Sequence, residues 1–580
     1  MPANWIILLI VFPAVAGVLT MLFTGRFVIQ RSIGVTALVL NLACTIWAAS
    51  TVLGSGPTVL VTQAGAWPAP FGISVVIDPL AAIMLLVSSF VVLAVYVFII
   101  SITPANLRGG FFHPLYHFLV LGVQWSFVTG DLFNLFVAFE IMLMASYGMI
   151  VIGVTVRQMR QAYKYVLLNL IGSMLLVTCC GLVYGQTGTL NFAHLTAMAT
   201  AGQLPDGTVP VFALLLVVFG VKSAIFPLWF WLPDTYPTVP AAIGGLFGGL
   251  LTKVGAYVVI RLFVMVVGEQ PGDVTINNLV SPLILISAGF TMFVGVLGAV
   301  SMMTMRRILS IHIISQVGYM ILGVGLMTQN AVAASIFFIA HNMVVKTSLF
   351  LCAGLVRHRT GTDDLTRFGG LLRTSPWLGA VFLVAALSLA GLPPTSGFFG
   401  KLVLIQETFV TGHWLLAVLA IATSVFTLLS MLKIWSYGFW SAPTGSQERH
   451  ASEPGVVPSA SPAPQLAVAG GPTPVGLSAT VALVSLAVFM GLGANLWFGW
   501  ATQAADVLMT RDAYVEAVLY PQPGPEAPGL PVTPPTTPPE PPPETPPEPP
   551  QAPPPEAQPT AEAGLLRPEL AVTVPSEVKP

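Results

Sequence analysis

Charge is scarce in this sequence. Only 8% of its 580 residues are Asp, Glu, Lys or Arg, whereas 55% are hydrophobic. Soluble domains carry about 25% charged residues, so a water-soluble globular enzyme is excluded and the chain reads as a polytopic membrane protein. Cysteine is scarce as well. Cys44, Cys179, Cys180 and Cys352 all fall inside apolar runs and form no CxxC pair, which argues against a disulfide framework or a thiolate metal cluster. There is no nucleotide-binding glycine loop, nucleophile constellation or metal-ligand spacing. Catalysis, a cofactor, a metal and a nucleic-acid partner are therefore not expected. No basic segment precedes the first apolar run, and Arg26 and Arg31 follow it. That run reads as a retained span and not as a cleaved signal peptide.

What is abundant is apolar runs long enough to cross a bilayer. With Gly, Pro and charges as punctuation they lie near 4–22, 32–53, 73–101, 114–129, 131–154, 163–185, 209–229, 240–267, 282–302, 309–327, 331–356, 376–411, 413–439 and 477–499. The expected fold is all-α with about 14 transmembrane helices. Arg26, Arg31, Arg108, Arg157, Arg160, Lys164, Arg306, Arg307, Arg357, Arg359, Arg367 and Arg373 fall at odd-numbered connections. Even-numbered loops hold Asp131, Asp206, Glu269 and Asp273 instead. Basic loops stay inside, so odd connections are cytoplasmic and both termini lie outside. Residues 441–476, rich in Pro, Ala, Ser and Gly, read as a cytoplasmic linker. Residues 503–520 space Val507, Leu508, Val515, Val518 and Leu519 like a short amphipathic helix. Proline dominates 521–580, which favours an extended tail without a packed core.

The few charges inside the spans are the informative residues. In V-K-S-A-I-F-P-L-W-F-W-L-P-D-T-Y-P-T-V-P, Val221 to Pro240, Lys222 precedes Pro227, Pro233 and Pro237. Proline removes a donor and clashes with the preceding turn, so the helix breaks there. A second break lies in G-L-P-P-T-S-G, Gly391 to Gly397, where Pro393 and Pro394 precede Lys401. Lys253 is thirteen residues past Pro240, about 20 Å deep at ~1.5 Å per residue. By the same rise Glu140, nine residues past Asp131, is about 13 Å deep. With Lys346, the four buried lysines cost on the order of 10–14 kcal/mol to insert, which no stability argument requires. Broken helices beside such charges line ion routes in transporters. An amine in a low-dielectric site releases its proton more readily, and a nearby carboxylate restores its hold. That makes a proton store without a cofactor. His312 and His341 are candidate bridges between stores. Arg261 and Lys433 lie near span ends and are expected to snorkel. Asp131 stands where an outer mouth would be, or caps the helix after it.

Several runs resemble the antiporter-like membrane subunits. They are D-L-F-N-L-F-V-A-F-E (Asp131 to Glu140), K-S-A-I-F-P-L-W-F-W-L-P-D (Lys222 to Asp234), L-T-K-V-G-A-Y (Leu251 to Tyr257), H-I-I-S-Q-V-G-Y (His312 to Tyr319), V-K-T-S-L-F (Val345 to Phe350) and G-L-P-P-T-S-G-F-F-G-K (Gly391 to Lys401). This family includes Mrp-type cation/proton antiporter subunits and proton-pumping subunits of complex I and membrane hydrogenases. With Y-V-E-A-V-L, Tyr514 to Leu519, the pattern is most similar to the D subunits of Mrp antiporters. Relatives often carry histidine four residues before the lysine of the eleventh span. Here Asn342 stands there and His341 precedes it.

The resemblance implies three N-terminal helices (1–113) and two inverted five-helix repeats, 114–267 and 282–439, each with a broken helix. It pairs Glu140 with Lys222, places Lys253 between the halves and continues the axis through Lys346 and Lys401. It implies a plasma-membrane subunit of a hetero-oligomeric Mrp-type complex, in contact with lipid, that exchanges Na+ or another monovalent cation for H+. Two protons entering down about 100 mV release roughly 4–5 kcal/mol for this. The alternative in the same family is a proton-pumping subunit of a complex I-like oxidoreductase or membrane hydrogenase. A structural scaffold with a dead ion path would not need the central charges.

Overall fold

The chain is described by a computed structural model over residues 3–54, 58–102, 111–152, 155–268, 280–441 and 474–520. The expected linker at 441–476 lies almost wholly outside the described residues, and the expected tail at 521–580 entirely so. A chain in lipid must satisfy its backbone polar groups internally, and the apolar runs accordingly form helices. In order they are α1 (Leu8–Leu22), α2 (Phe27–Gly54), α3 (Pro79–Ile102), α4 (Phe112–Val128), α5 (Leu132–Ile150), α6 (Val156–Thr187), α7 (Phe192–Thr200), α8 (Thr208–Ser223) and α9 (Ala241–Val266). There follow α10 (Ser281–Ser301), α11 (Met305–Leu326), α12 (Gln329–Thr360), α13 (Pro376–Ala390), α14 (Ser396–Val410), α15 (Trp414–Trp440), α16 (Pro474–Leu492), α17 (Ala494–Thr510) and α18 (Asp512–Leu519).

Among the described residues eleven helices are long and apolar enough to cross a membrane. Three of the fourteen expected spans are shorter. Helix α4 has 17 residues, α8 stops at Ser223 before the Pro227 break, and the run at 376–411 is two helices of 15 residues each. Two boundaries differ from expectation for local reasons. The run beginning at 73 opens as a strand, because Ser74–Ile77 (β2) pairs antiparallel with Leu60–Gln63 (β1), Leu60 opposite Ile77 and Gln63 opposite Ser74. Asp78 then caps α3 by accepting the Ala81 N–H at 2.9 Å. The final span and amphipathic segment are divided at Gly493 and Arg511 into α16, α17 and α18.

Burial sorts the helices by role. The membrane-length apolar stretches of α9, α11 and α12 are wholly buried, whereas only a third of those of α1, α2 and α15 is. The three buried helices carry Lys253, His312, His341 and Lys346, so the expensive charges sit at the centre behind a belt of apolar helices. Close approach there depends on small residues. A Cβ added at Gly249 of α9 would lie 2.1 Å from Thr347 Oγ1 of α12. Lys253 stands on an α-helical stretch, Thr252–Ile260, between two π-helical stretches, Phe247–Leu251 and Arg261–Val266. Such bulges are rare and frequent at functional sites.

Candidate functional site: a buried lysine axis

The first break sits where the prolines put it. Helix α8 ends at Ser223, Ala224 adopts a left-handed conformation at φ 61°, and the Ile225 N–H closes the helix on Gly220 O at 2.9 Å. The Phe226 N–H donates to Thr291 Oγ1 of α10 at 2.9 Å, which ties the break to the second half of the chain. Lys222, in the last turn of α8, is 4% exposed. Its Nζ donates to Ser173 Oγ of α6 at 3.1 Å and lies 5.0 Å from the Phe139 ring centroid. Glu140 is within electrostatic range of Lys222, but the two form no ion pair within 4 Å among the described residues. Glu140 is half-buried, with Oε1 enclosed and without a partner. The expected charged pair is therefore a separated one, with Phe139 and Ser173 against the amine.

Lys253 donates to Gly248 O at 2.5 Å within the first π-helical stretch and to Thr252 Oγ1 at 3.3 Å. Lys346 lies 3.5 Å from Leu309 O, with Lys253 and Lys401 within electrostatic range. All three of these amines are at most 3% exposed. At the second break Lys401 donates to Leu389 O and Ala390 O, both at 3.0 Å, and lies 5.0 Å from the Tyr319 ring centroid. An amine on the last carbonyls of α13 meets the negative end of that helix. His341 faces the same break. Its Nδ1 is 2.8 Å from Ser396 Oγ, which is 3.3 Å from Ser388 Oγ. Asn342 instead turns its amide onto Phe338 O of its own helix at 2.9 Å. The departure read in the sequence thus leaves a titratable ring on the break, one position earlier. His312 Nδ1 is 3.4 Å from Ser315 Oγ, and Nε2 of each histidine is buried without a partner.

One expectation is corrected. Arg261 does not snorkel: it is 2% exposed and grips Asp78 with two bonds, Nη1 to Oδ2 at 2.5 Å and Nη2 to Oδ1 at 2.8 Å. Its guanidinium also donates to the Tyr257 hydroxyl at 2.9 Å and packs on the rings of Tyr257 and Tyr514, each 5.3 Å away. Lys433 is half-buried and ties off the carbonyls of Val300 and Met302 at 2.5 Å each, a structural use. Asp131 caps α5, accepting the Asn134 N–H at 2.8 Å. Burial pushes its carboxyl up, against the opposing backbone bonds from Asn134 and Phe133.

Sequence reading missed Asp78 and Asp363. An Asp immediately before the Pro79 that opens an apolar run was the available signal for the first. Asp363 binds Arg306 at 2.7 Å and Arg357 at 3.7 Å, and Arg306 Nη1 donates to Val239 O at 2.8 Å beside the first break. Burial raises the Asp363 carboxyl, but Arg306 and Arg357 outweigh it and hold it below its ordinary value. A depressed carboxylate contributes stability above its unfolded pKa that is lost as pH falls through the folded one. This clamp is therefore expected to weaken only on acidification.

Residues 129–427 match the family described as NADH:quinone oxidoreductase/Mrp antiporter, TM. The chain is 42% identical over 518 residues to the D subunit of the Na(+)/H(+) antiporter of Alkalihalophilus pseudofirmus, covering 89% of this chain and 99% of that one. It is 34% identical to the protein of the same name from Bacillus subtilis, with the same coverage. Among solved structures, a chain of the Mrp complex from Dietzia sp. DQ12-45-1b superposes with TM-score 0.78 at 31% identity, covering 88% of this chain and 99% of that chain. A chain of respiratory complex I from Thermus thermophilus shares the fold, with TM-score 0.70 at 23% identity over 87% of this chain and 99% of that chain.

Proposed function

The chain belongs to the NADH:quinone oxidoreductase/Mrp antiporter family, and on that premise we propose that it is the D-type ion-translocating subunit of a multi-subunit Na+/H+ antiporter. Protons move along the axis Glu140, Lys222, Lys253, Lys346 and Lys401, with His312 and His341 beside it. The observation that carries this reading is the set of four buried amines, each hydrogen-bonded to neutral oxygen and none to a carboxylate among the described residues. An amine so placed has no fixed counter-charge to make its proton permanent, so its charge state responds to its neighbours. The two breaks put Lys222 and Lys401 against helix ends in opposite chain order, which supports the inverted repeats 114–267 and 282–439. The basic loops support cytoplasmic odd connections and outer termini in the plasma membrane. The subunit is read as a secondary transporter part and not as a catalyst. The identity of the curated relatives favours this over the complex I-like alternative.

The experiment is purification of the tagged chain with its partners, followed by assay in inverted vesicles. Co-purification of other antiporter subunits and Na+-dependent collapse of an imposed pH gradient are expected. Co-purification of flavin and iron–sulfur subunits, with no cation-dependent collapse, would replace the reading by the redox-driven one.

The tail supplies a further expectation. Helix α18 docks through Tyr514 on Arg261 and through Val518 O, which accepts Gln63 Nε2 at 3.2 Å. Truncation after Tyr520 is expected to leave exchange in vesicles at the wild-type rate. Truncation after Arg511, which removes Tyr514, is expected to lower the amount of assembled complex. A collapse of exchange on removing 521–580 alone would make that segment a docking element.

A further inference from the structure

At the first break the chain satisfies most of its own backbone donors. The Ala224 N–H reaches Val221 O at 3.3 Å, the Ile225 N–H reaches Gly220 O at 2.9 Å and the Leu228 N–H reaches Ile225 O at 2.7 Å. Pro227 has no donor. The remaining N–H of this turn, that of Phe226, meets no backbone carbonyl among the described residues. It goes instead to Thr291 Oγ1 of α10, in the other half of the chain, at 2.9 Å.

Thr291 is prepared for that donor. It is fully buried, and its hydroxyl donates to Ser287 O one turn back on α10. With its single proton so used, the oxygen presents lone pairs to the Phe226 N–H. The preceding residue grips the same partner. The Phe290 ring stacks on that of Phe226, with centroids 5.1 Å apart and planes 22° from parallel. Helix α10 therefore holds Phe226 by its backbone and by its ring.

Helix geometry shows what the hold opposes. In an α-helix each N–H bonds the carbonyl four residues earlier, so the Phe226 N–H is the donor that Lys222 O would take if α8 continued. Thr291 and Lys222 O thus compete for one donor. Ala224 favours rewinding, because it sits at φ 61° and ψ 49°, where a Cβ is crowded, and a continued helix would relieve it. Pro227 stops the rewinding, since it has no N–H to extend the ladder. The alternatives are therefore discrete: α8 ends at Ser223, or near Phe226.

The difference falls on Lys222. It stands in the last turn of α8, where carbonyls without helical partners gather negative partial charge. Three more helical residues would carry that end about 4.5 Å along the axis. The other groups facing Lys222 are the Phe139 ring and Glu140 on α5 and Ser173 on α6. On α9 it meets Gly255, where a Cβ would lie 3.4 Å from the Lys222 carbonyl carbon.

We infer that Thr291 is a positioning residue for Lys222, which from the second half of the chain keeps α8 broken beside the amine and so sets the field in which its proton is held. Its part in exchange rests on the proposed function, and the hold itself rests on geometry. The hold also has a route to the second break. The backbones of α10 and α11 meet closely on both sides of Thr291. A Cβ at Gly318 would lie 2.7 Å from Met292 N and 2.8 Å from Ala288 O, and one at Gly295 would lie 2.7 Å from Ser315 N. Tyr319, next to Gly318, has its ring centroid 5.0 Å from Lys401 Nζ. Close packing transmits displacement, so a shift of α11 at Lys401 reaches Thr291.

The test has two arms in the full complex. The first measures Na+-dependent exchange in inverted vesicles, per assembled complex, for two variants. Thr291→Ser keeps the hydroxyl, whereas Thr291→Val keeps the shape and removes the acceptor. Thr291→Ser is expected to exchange near the wild-type rate and Thr291→Val severalfold more slowly. Exchange by Thr291→Val at the wild-type rate, or equal loss in both variants, would overturn the positioning role. The second arm reads the break itself. Phe230→Cys and Leu283→Cys, both at exposed positions, are introduced in a background lacking the four native cysteines. Spin labels on them report their separation by pulsed electron paramagnetic resonance. One separation is expected with Thr291 or Thr291→Ser, and a second population with Thr291→Val. An unchanged distribution in Thr291→Val would overturn the hold. Should Thr291→Val fail to assemble, Phe290→Leu, also at an exposed position, removes the ring contact alone. It is expected to add the same second population, and a single separation in it would overturn the hold. Because the distances need no transport, wild-type vesicles without Na+-dependent exchange would sink the exchange reading and leave the hold to its own result.

Discussion

Replacing Lys401 by arginine is expected to reduce cation/proton exchange roughly tenfold or more, since a guanidinium stays protonated in proteins, with the complex still assembled. The geometry makes the substitution discriminating. Lys401 Nζ donates to the last carbonyls of α13, Leu389 O and Ala390 O, at 3.0 Å each. Arginine keeps the charge and can reach the same carbonyls, so a residue that merely pins the helix end would tolerate it. A proton store would not. Lys401→His, whose imidazole still titrates, is expected to recover part of the activity at most. Exchange by Lys401→Arg at the wild-type rate across pH 7–9 would make Lys401 a fixed charge holding the break.

The second large effect is expected at Arg261, and it is an effect on assembly. Arg261→Ala leaves Asp78 charged, buried and unpaired beneath α18. Breaking a buried pair from one side costs about 3–5 kcal/mol, a large share of a typical folding stability. Native gels are expected to show little intact complex. The double variant Asp78→Asn/Arg261→Gln removes both charges, and a neutralised pair is often tolerated. It is expected to restore most of the complex, because the introduced asparagine can still cap α3. Arg261→Ala assembling as well as wild type would return the residue to a surface role.

These two residues also mark how far the sequence could be read. Lys401 was legible because its signals are local: prolines break a helix wherever they fall, and an amine a few residues away is at membrane depth by counting. The same holds for Lys222 and for the lysines on α9 and α12. Arg261 was misread because counting sees only distance to a helix end. Its partner Asp78 is 183 positions away, and nothing along the chain links the two. The β1–β2 hairpin escaped for a related reason. Val75, Val76 and Ile77 before Asp78 look like the start of the span, and only pairing with Leu60–Gln63 makes them part of a strand. His341 was legible as a candidate, but its direction was not, because adjacent positions on a helix differ by about 100° in facing.

The central claim, that protons cross on the Glu140–Lys222 end of a buried amine axis, is tested most directly by exchange in vesicles from cells carrying Lys222→Ala or Glu140→Ala. Both residues lie away from the Arg261 and Arg306 clamps, so the complex is expected to assemble at wild-type levels on native gels. With assembly verified, addition of Na+ is expected to leave an imposed pH gradient undisturbed in either variant, while wild-type vesicles collapse it. Collapse of the gradient at the wild-type rate by both variants would contradict the account.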